Sequence, residues 1–259
     1  MMKDLIDPFI AMWYRQVKRF LRAKPRVIAT FMQPIFWLLF FGLGFAAAFR
    51  TGGAVGPFMG LDYLAFLLPG VALMTVFVSS FMSGISVIWD KEFGYLKVVL
   101  VAPSSRKASI LGRSMGDATI ALIQGLIILI IGYPLVPSMN MGNIHLFILV
   151  SLLVSISFAS IGIIIATKMK TIEGFQLIVN LITTPLLFLS GIFYPIDVAP
   201  DWLKPVILAN PLTYGVDAVR LLMVGKGTFD FTTDLICLAI LSIVFLLIAV
   251  YQFEKATID

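Results

Sequence analysis

Apolar residues come in six runs of about 20, the length an α-helix needs to cross the roughly 30 Å hydrocarbon core of a bilayer. The runs lie at roughly 27–49, 63–89, 110–136, 145–167, 172–194 and 235–253. The segments between them are polar or rich in Gly and Pro, and none holds a soluble domain. Of 259 residues, 60% are hydrophobic and 13% charged, with mean hydropathy +1.02. A soluble fold of this size has no use for so much apolar surface. The expected fold is an all-α polytopic membrane protein with six transmembrane helices, one domain over 1–259.

Charge sets the orientation. Of the 19 Lys and Arg, only Arg50, Lys204, Arg220 and Lys226 fall on one side of this arrangement. The rest lie before the first run, in loops 90–113 and 168–171, and in the C-terminal tail. Positive-inside therefore places both termini in the cytoplasm, with the spans in the cell (plasma) membrane. The net charge of +5 is topological and calls for no nucleic-acid partner. Basic residues spread over the first 26 positions do not have the layout of a signal peptide.

Residues 4–24 read as an N-terminal amphipathic interface helix. Ile6, Phe9, Ile10, Trp13, Val17, Phe20 and Leu21 recur at helical spacing, with Arg15, Lys18, Arg19 and Arg22 opposite. Such a helix lies in the interface plane, its cations toward anionic headgroups. It is either a passive anchor or a lever coupling a soluble partner to the first span. Pro25 is expected to end it and turn the chain into the bilayer.

Two interspan stretches carry more. From Phe175 to Gly225 the chain starts as an apolar helix, then passes Pro195, Pro200, Pro205 and Pro211, with Trp202 and Tyr214 suited to a membrane interface. Its last part, Pro211 to Gly225, reads as a short helix that enters the membrane without crossing it. In the 90–113 loop, Phe93, Leu96, Val99 and Leu100 give a short helix one apolar face before Pro103 stops it. That suits either docking into a groove on a soluble partner or rest on the membrane.

Other residues read as structural. Gly112 and Gly116, and Ser151, Ser155 and Ala159, let helices approach closely in lipid. Gln33–Pro34 marks a kink in the first span. Arg113 with Asp117, and Asp217 with Arg220, sit one turn apart, so local pairing, or snorkelling for the second pair, outweighs substrate recognition. Glu173 suits a helix start. His145 and Cys237 stand alone, which excludes an intrachain disulfide and makes a metal centre or a nucleophile–base site improbable. The nearest approach to a phosphate-binding loop, Gly225-Lys226-Gly227-Thr228, has Arg220 where the first glycine belongs and Gly227 where the hydroxyl belongs. A stand-alone secondary transporter would show polar residues at mid-membrane and internal repeats, and neither is clear.

Two motifs carry a resemblance. One is Glu92, Phe93, Gly94, Leu96, Leu100, Pro103, Ser105 and Arg106. The other is Ser190-Gly191, Phe193-Tyr194-Pro195, Pro200, Trp202-Leu203, Asn210-Pro211-Leu212-Thr213-Tyr214, Asp217 and Arg220. Their order and spacing resemble the transmembrane permease subunit of ABC type-2 exporters over essentially the whole chain. The resemblance implies a permease that pairs with a second copy or a paralogue and binds a cytoplasmic ABC ATPase subunit. That subunit would hold ATP and Mg; this chain would carry no cofactor, no metal and no catalytic residue. It implies a cytoplasmic coupling helix at 91–102, with Glu92, Phe93, Gly94, Leu96, Leu100 and Arg106, and the amphipathic helix as a second contact. It also implies a re-entrant hairpin between spans five and six, residues 195–225. In it, Pro195, Trp202, Asn210, Pro211, Tyr214, Asp217 and Arg220 form an external gate. A lining rich in Phe, Leu and Met with scarcely any charge points to a drug-like or lipid-like cargo; export of polysaccharide or lipid-linked glycan is the other reading.

Overall fold

A computed structural model describes residues 3–46, 58–92, 106–169 and 171–255. Among them the regular structure is helical throughout. The first helix, α1 (Lys3–Arg22), ends on a break at Ala23, whose φ of −87° and ψ of 66° leave the helical region. Helix α2 (Lys24–Phe36) follows, with Pro25 in its first turn rather than at the end of α1. There the missing N–H has no helical partner to lose. Helix α3 (Tyr63–Phe81) runs through a 3-10 turn at Met82–Gly84 into α4 (Ile85–Glu92). Then come α5 (Arg106–Gly132), α6 (Ile144–Lys168), α7 (Ile172–Phe188), α8 (Lys204–Leu208), α9 (Pro211–Val224) and α10 (Phe231–Lys255).

Five helical stretches are long and apolar enough to cross a membrane: Val27–Ala46, Tyr63–Trp89, Leu111–Leu135, Met141–Lys168 and Phe231–Phe253. The run expected as span five, 172–194, departs from this. Its helix stops at Phe188 after 17 residues, about 25 Å, short of a full hydrocarbon core. The chain turns there because the Ser190 hydroxyl donates to the Leu187 carbonyl at 2.6 Å and Gly191 takes a φ of +75°, which suits glycine. Thr171 starts the same helix by accepting from the Gly174 N–H at 3.2 Å.

The α3 helix is the centre, buried on nearly every face and packed against α5, α6 and α9. It meets α6 where Gly84 faces Gly162. A Cβ on Gly84 would lie 2.4 Å from the Gly162 carbonyl oxygen, so only glycine permits this approach. Hydroxyl pairs fasten the same layer: Ser80 with Ser155 at 2.7 Å, and Ser157 with Ser242 of α10 at 2.8 Å. In a bilayer each such pair contributes on the order of 0.6 kcal/mol. Gly112 and Gly116, expected to bring spans together, serve α1 instead. A Cβ on Gly112 would fall 2.2 Å from the Phe9 carbonyl oxygen. Ser155 meets α3 through Ser80, while Ser151 and Ala159 are fully buried on the same helix.

Candidate functional site

The kink expected at Gln33–Pro34 is the start of a larger deviation. Pro34 offers no N–H to the helix, and Trp37–Leu43 continues as a π-helix, with wider turns than an α-helix. This segment presents Trp37 and Phe41 to Phe193, with ring centroids 5.0 and 6.2 Å apart. Phe188 joins from the end of α7, 5.1 Å from Phe193. Trp37, Phe188 and Phe193 line one end of a groove between α2 and α7, floored by α3, and Phe41 backs Phe193 from behind.

Two adjoining cavities fill that groove, of about 360 and 250 Å³, and share Gln33, Val78 and Met82. The larger takes Thr30, Thr75, Ser79 and Gln176 as its other polar groups; the smaller takes Asn180, Thr183 and Thr184. Among the described side chains, none that lines either cavity is charged. Gln33, Gln176 and Asn180 are exposed, and their amides have no hydrogen-bond partner among the described residues. On α7 the positions 176, 180, 183 and 184 recur at helical spacing and make one polar stripe. An uncovered amide in hydrocarbon is costly, so this face is built to meet something other than lipid tails.

At the end of the groove nearer α1, a smaller cleft shares Phe20 and Ser79 with the larger cavity and adds Gln16, Arg19, Ser86 and Asp117. Gln16 donates from Nε2 to both Asp117 oxygens, at 3.2 and 3.3 Å, and to the Ser86 hydroxyl at 3.2 Å. Trp13 Nε1 donates to Thr119 at 3.1 Å. The Arg19 guanidinium lies 4.3 Å over the Trp89 ring. Met12 and Gln16 form the buried seam of α1 against α5, while Ile6, Ile10 and Leu21 of the expected apolar face stay exposed. Arg113 and Asp117 are buried together beneath this helix.

The hairpin residues all find places in the described structure. Pro195 is buried and precedes a 3-10 turn at Ile196–Val198. Asn210 caps α9: its Oδ1 accepts from the Leu212 N–H at 3.0 Å, and its Nδ2 donates to the Leu186 carbonyl at 2.8 Å. Pro211 fills the first turn, and Gly225 ends the helix in the left-handed region. The Tyr214 hydroxyl donates to the Leu208 carbonyl at 2.8 Å. Asp217 and Arg220 neither pair locally nor snorkel. Asp217 accepts from the Thr228 and Phe229 N–H groups at 2.8 Å, fixing the loop after α9. Arg220, only 1% exposed, donates to the Gly191 carbonyl at 2.6 Å and to the Phe66 carbonyl at 3.3 Å, and stacks 3.8 Å over the Phe66 ring. It ties the turn after α7 to the central helix. Trp202 is 75% exposed. At the other end of α9, the Met223 carbonyl accepts from the Asn140 N–H at 2.7 Å.

Of the coupling residues, Phe93, Gly94, Leu96 and Leu100 lie outside the described residues, as do Pro103 and Ser105. Glu92 closes α4 and Arg106 opens α5. The groove residues Gln33, Gln176, Asn180, Thr183 and Thr184 escaped the sequence reading, which found no clear mid-membrane polarity. Their spacing at i, i+4 and i+7/8 within an apolar run was the available signal.

A family model described as "ABC-2 type transporter" matches residues 8–224. Among curated proteins, ycf38 of Cyanophora paradoxa, a transport permease by name, is 32% identical over 244 residues, 91% of this chain and 81% of that protein. The inner membrane transport permease YadH of Escherichia coli K12 is 24% identical over 242 residues, 92% and 91% of the two chains. The daunorubicin resistance ABC transporter permease protein DrrB1 of Streptomyces coeruleorubidus is 27% identical over 222 residues, covering 83% and 75%.

Proposed function

Since the chain belongs to the ABC-2 type transporter family, with relatives named as transport permeases, we propose that it is the permease subunit of an ATP-driven exporter. It moves a hydrophobic or amphipathic, drug-like or lipid-like molecule outward along the groove between α2 and α7. The observation that carries this reading is the groove of apolar and amide side chains between α2 and α7, whose Gln33, Gln176 and Asn180 amides meet no partner among the described residues. Facing a second copy or a paralogue, the same stripe becomes the wall of a path between two permeases rather than a surface in lipid. A family relative named for daunorubicin resistance favours an outward direction and a small amphipathic cargo.

The cytoplasmic ATPase subunit, with its ATP and Mg, seats on Glu92, Phe93, Gly94, Leu96, Leu100 and Arg106, and α1 makes the second contact. The α1 end is then cytoplasmic and the hairpin external. Arg220, Asp217 and Asn210 hold that hairpin rigid, Pro195, Pro211 and Tyr214 shape it, and Trp202 anchors it at the interface. The rings of Trp37, Phe41, Phe188 and Phe193 are the surface that must part for release. The test is purification in mild detergent followed by transport in proteoliposomes. An ABC ATPase should co-purify, and Gln33→Leu with Asn180→Leu should cut ATP-dependent transport at least tenfold while the ATPase stays bound. Purification without any nucleotide-binding partner, or full transport by the double variant, would overturn the proposal.

A further inference from the structure

We infer that the cleft beside α1 is an inlet for water, which passes from there along one face of the central helix into the groove. The inlet requires neither a motor nor a cargo, and it does not depend on the transport proposed above. A hydroxyl within a membrane helix can bond back to a carbonyl one turn earlier, as Thr75 does to Val71 at 2.9 Å and Ser80 to Val76 at 2.7 Å. Ser83, in the 3-10 turn between α3 and α4, departs from this. The residue is 5% exposed, and its buried Oγ has no partner among the described residues. A buried hydroxyl left unmet is costly, and a bound water is the usual remedy.

The cleft that Ser83 lines has the size and the polarity for this. It measures about 30 Å³, against the roughly 10–15 Å³ that a water requires by the same measure, and Ser79, Ser86 and Asp117 line it too. Ser86 accepts from Gln16 at 3.2 Å and donates to the Ser83 carbonyl at 2.7 Å, which leaves its oxygen a lone pair. Ser83 can both donate and accept. Arg19, half-buried, and Asp117 put charge on the cleft wall, which suits water and not acyl chains. Positions 86, 83, 79 and 75 are spaced by three, four and four residues, so they share one face of the chain running from α4 into α3. Ser79 lines both the cleft and the cavity of about 360 Å³, where Thr75 stands with Gln33 and Gln176. Polar groups therefore continue from the cleft to the groove amides. Phe20 is the other residue common to both spaces, so its ring stands at the neck between them.

The experiment is X-ray hydroxyl-radical footprinting of the full chain in lipid nanodiscs, with water itself as the probe. Radicals form from water beside a side chain and oxidise methionine readily, and Met74 and Met82 line the larger cavity. Both should be oxidised faster than Met223, which is fully buried in the core. Ser86→Leu fills the cleft and should lower the oxidation of Met74 and Met82 severalfold. Ser79→Leu closes the neck, leaves the Gln16 bonds in place and should do the same. Phe20→Ala widens the neck and should raise it. Helical content and unfolding temperature, read on each variant, show whether the bundle is kept. Met74 and Met82 as slow as Met223 in the natural chain would mean that water in the cleft goes no further, and would overturn the inlet. Oxidation that neither leucine lowers in a folded variant would mean that water arrives from the hairpin end, and would overturn it equally.

Discussion

Arg220 is the residue whose environment departs most from what its type suggests. A guanidinium in a membrane protein is costly unless its donors are met, and here they are met by carbonyls of two separate segments, Gly191 and Phe66. Charge-assisted bonds of this kind contribute about 1.5–3 kcal/mol each. Arg220→Ala would leave the Gly191 carbonyl without its guanidinium donor and strip the Phe66 carbonyl of its second one, beyond the helix ladder, and should lower the thermal unfolding temperature in detergent, followed by circular dichroism, by several degrees. Arg220→Lys should recover little of it, because an ammonium cannot span two carbonyls while stacking flat on a ring. Recovery by lysine would mean that charge alone is needed there. Asp217→Asn should cost less, about 1–2 kcal/mol, since one oxygen remains to accept from Thr228 or Phe229. Both residues were legible as a pair one turn apart, and the spacing misled. Which partner a long side chain finds depends on where Gly191 and Phe66 come to lie, and sequence separation hides that.

At the scale of elements, chain length and apolarity located the long helices well, because a bilayer fixes how many apolar residues a crossing takes. They failed where a hydrogen bond, and not polarity, ends a helix. Nothing apolar distinguishes Leu189–Tyr194 from the residues before it, yet the turn at Ser190–Gly191 stops α7. The π-helix after Pro34 was hidden for the same reason, since its residues are ordinary spanning residues. Gly112 and Gly116 announced a close approach but not its partner. That partner yields a prediction. With the Phe9 carbonyl already where a Cβ would sit, Gly112→Leu cannot be accommodated without moving α1 off α5. The spans should remain folded, with helical content unchanged. Spin labels or fluorophores at Tyr14 and Thr119 should move apart, and ATPase stimulation by substrate should fall severalfold. An unchanged distance would mean that α5 gives way instead, and that α1 is fixed by Trp13 and Gln16 rather than by the glycine seam.

For the whole molecule, the question is how a soluble motor could reach a groove buried in the membrane. Helix α4 ends at Glu92 and joins α3 through a single 3-10 turn, so the loop that begins there is continuous with the central helix. That helix floors the groove with Met74, Thr75, Val78 and Ser79 and touches the hairpin through Phe66. If the proposed function holds, a push transmitted to α4 would bear on both ends of the groove at once, with the Gly84–Gly162 contact as the fulcrum, because backbone against backbone cannot be compressed. Charge reversal at Glu92 should then separate motor from permease without unfolding the permease. Glu92→Lys is expected to purify with an unfolding temperature within a few degrees of the parent. ATPase retained on the column should drop at least tenfold, or, if association survives, the substrate should no longer stimulate hydrolysis. A well-folded Glu92→Lys chain that keeps its ATPase and its stimulation would place the coupling contact elsewhere, with the amphipathic α1 as the remaining handle on the spans.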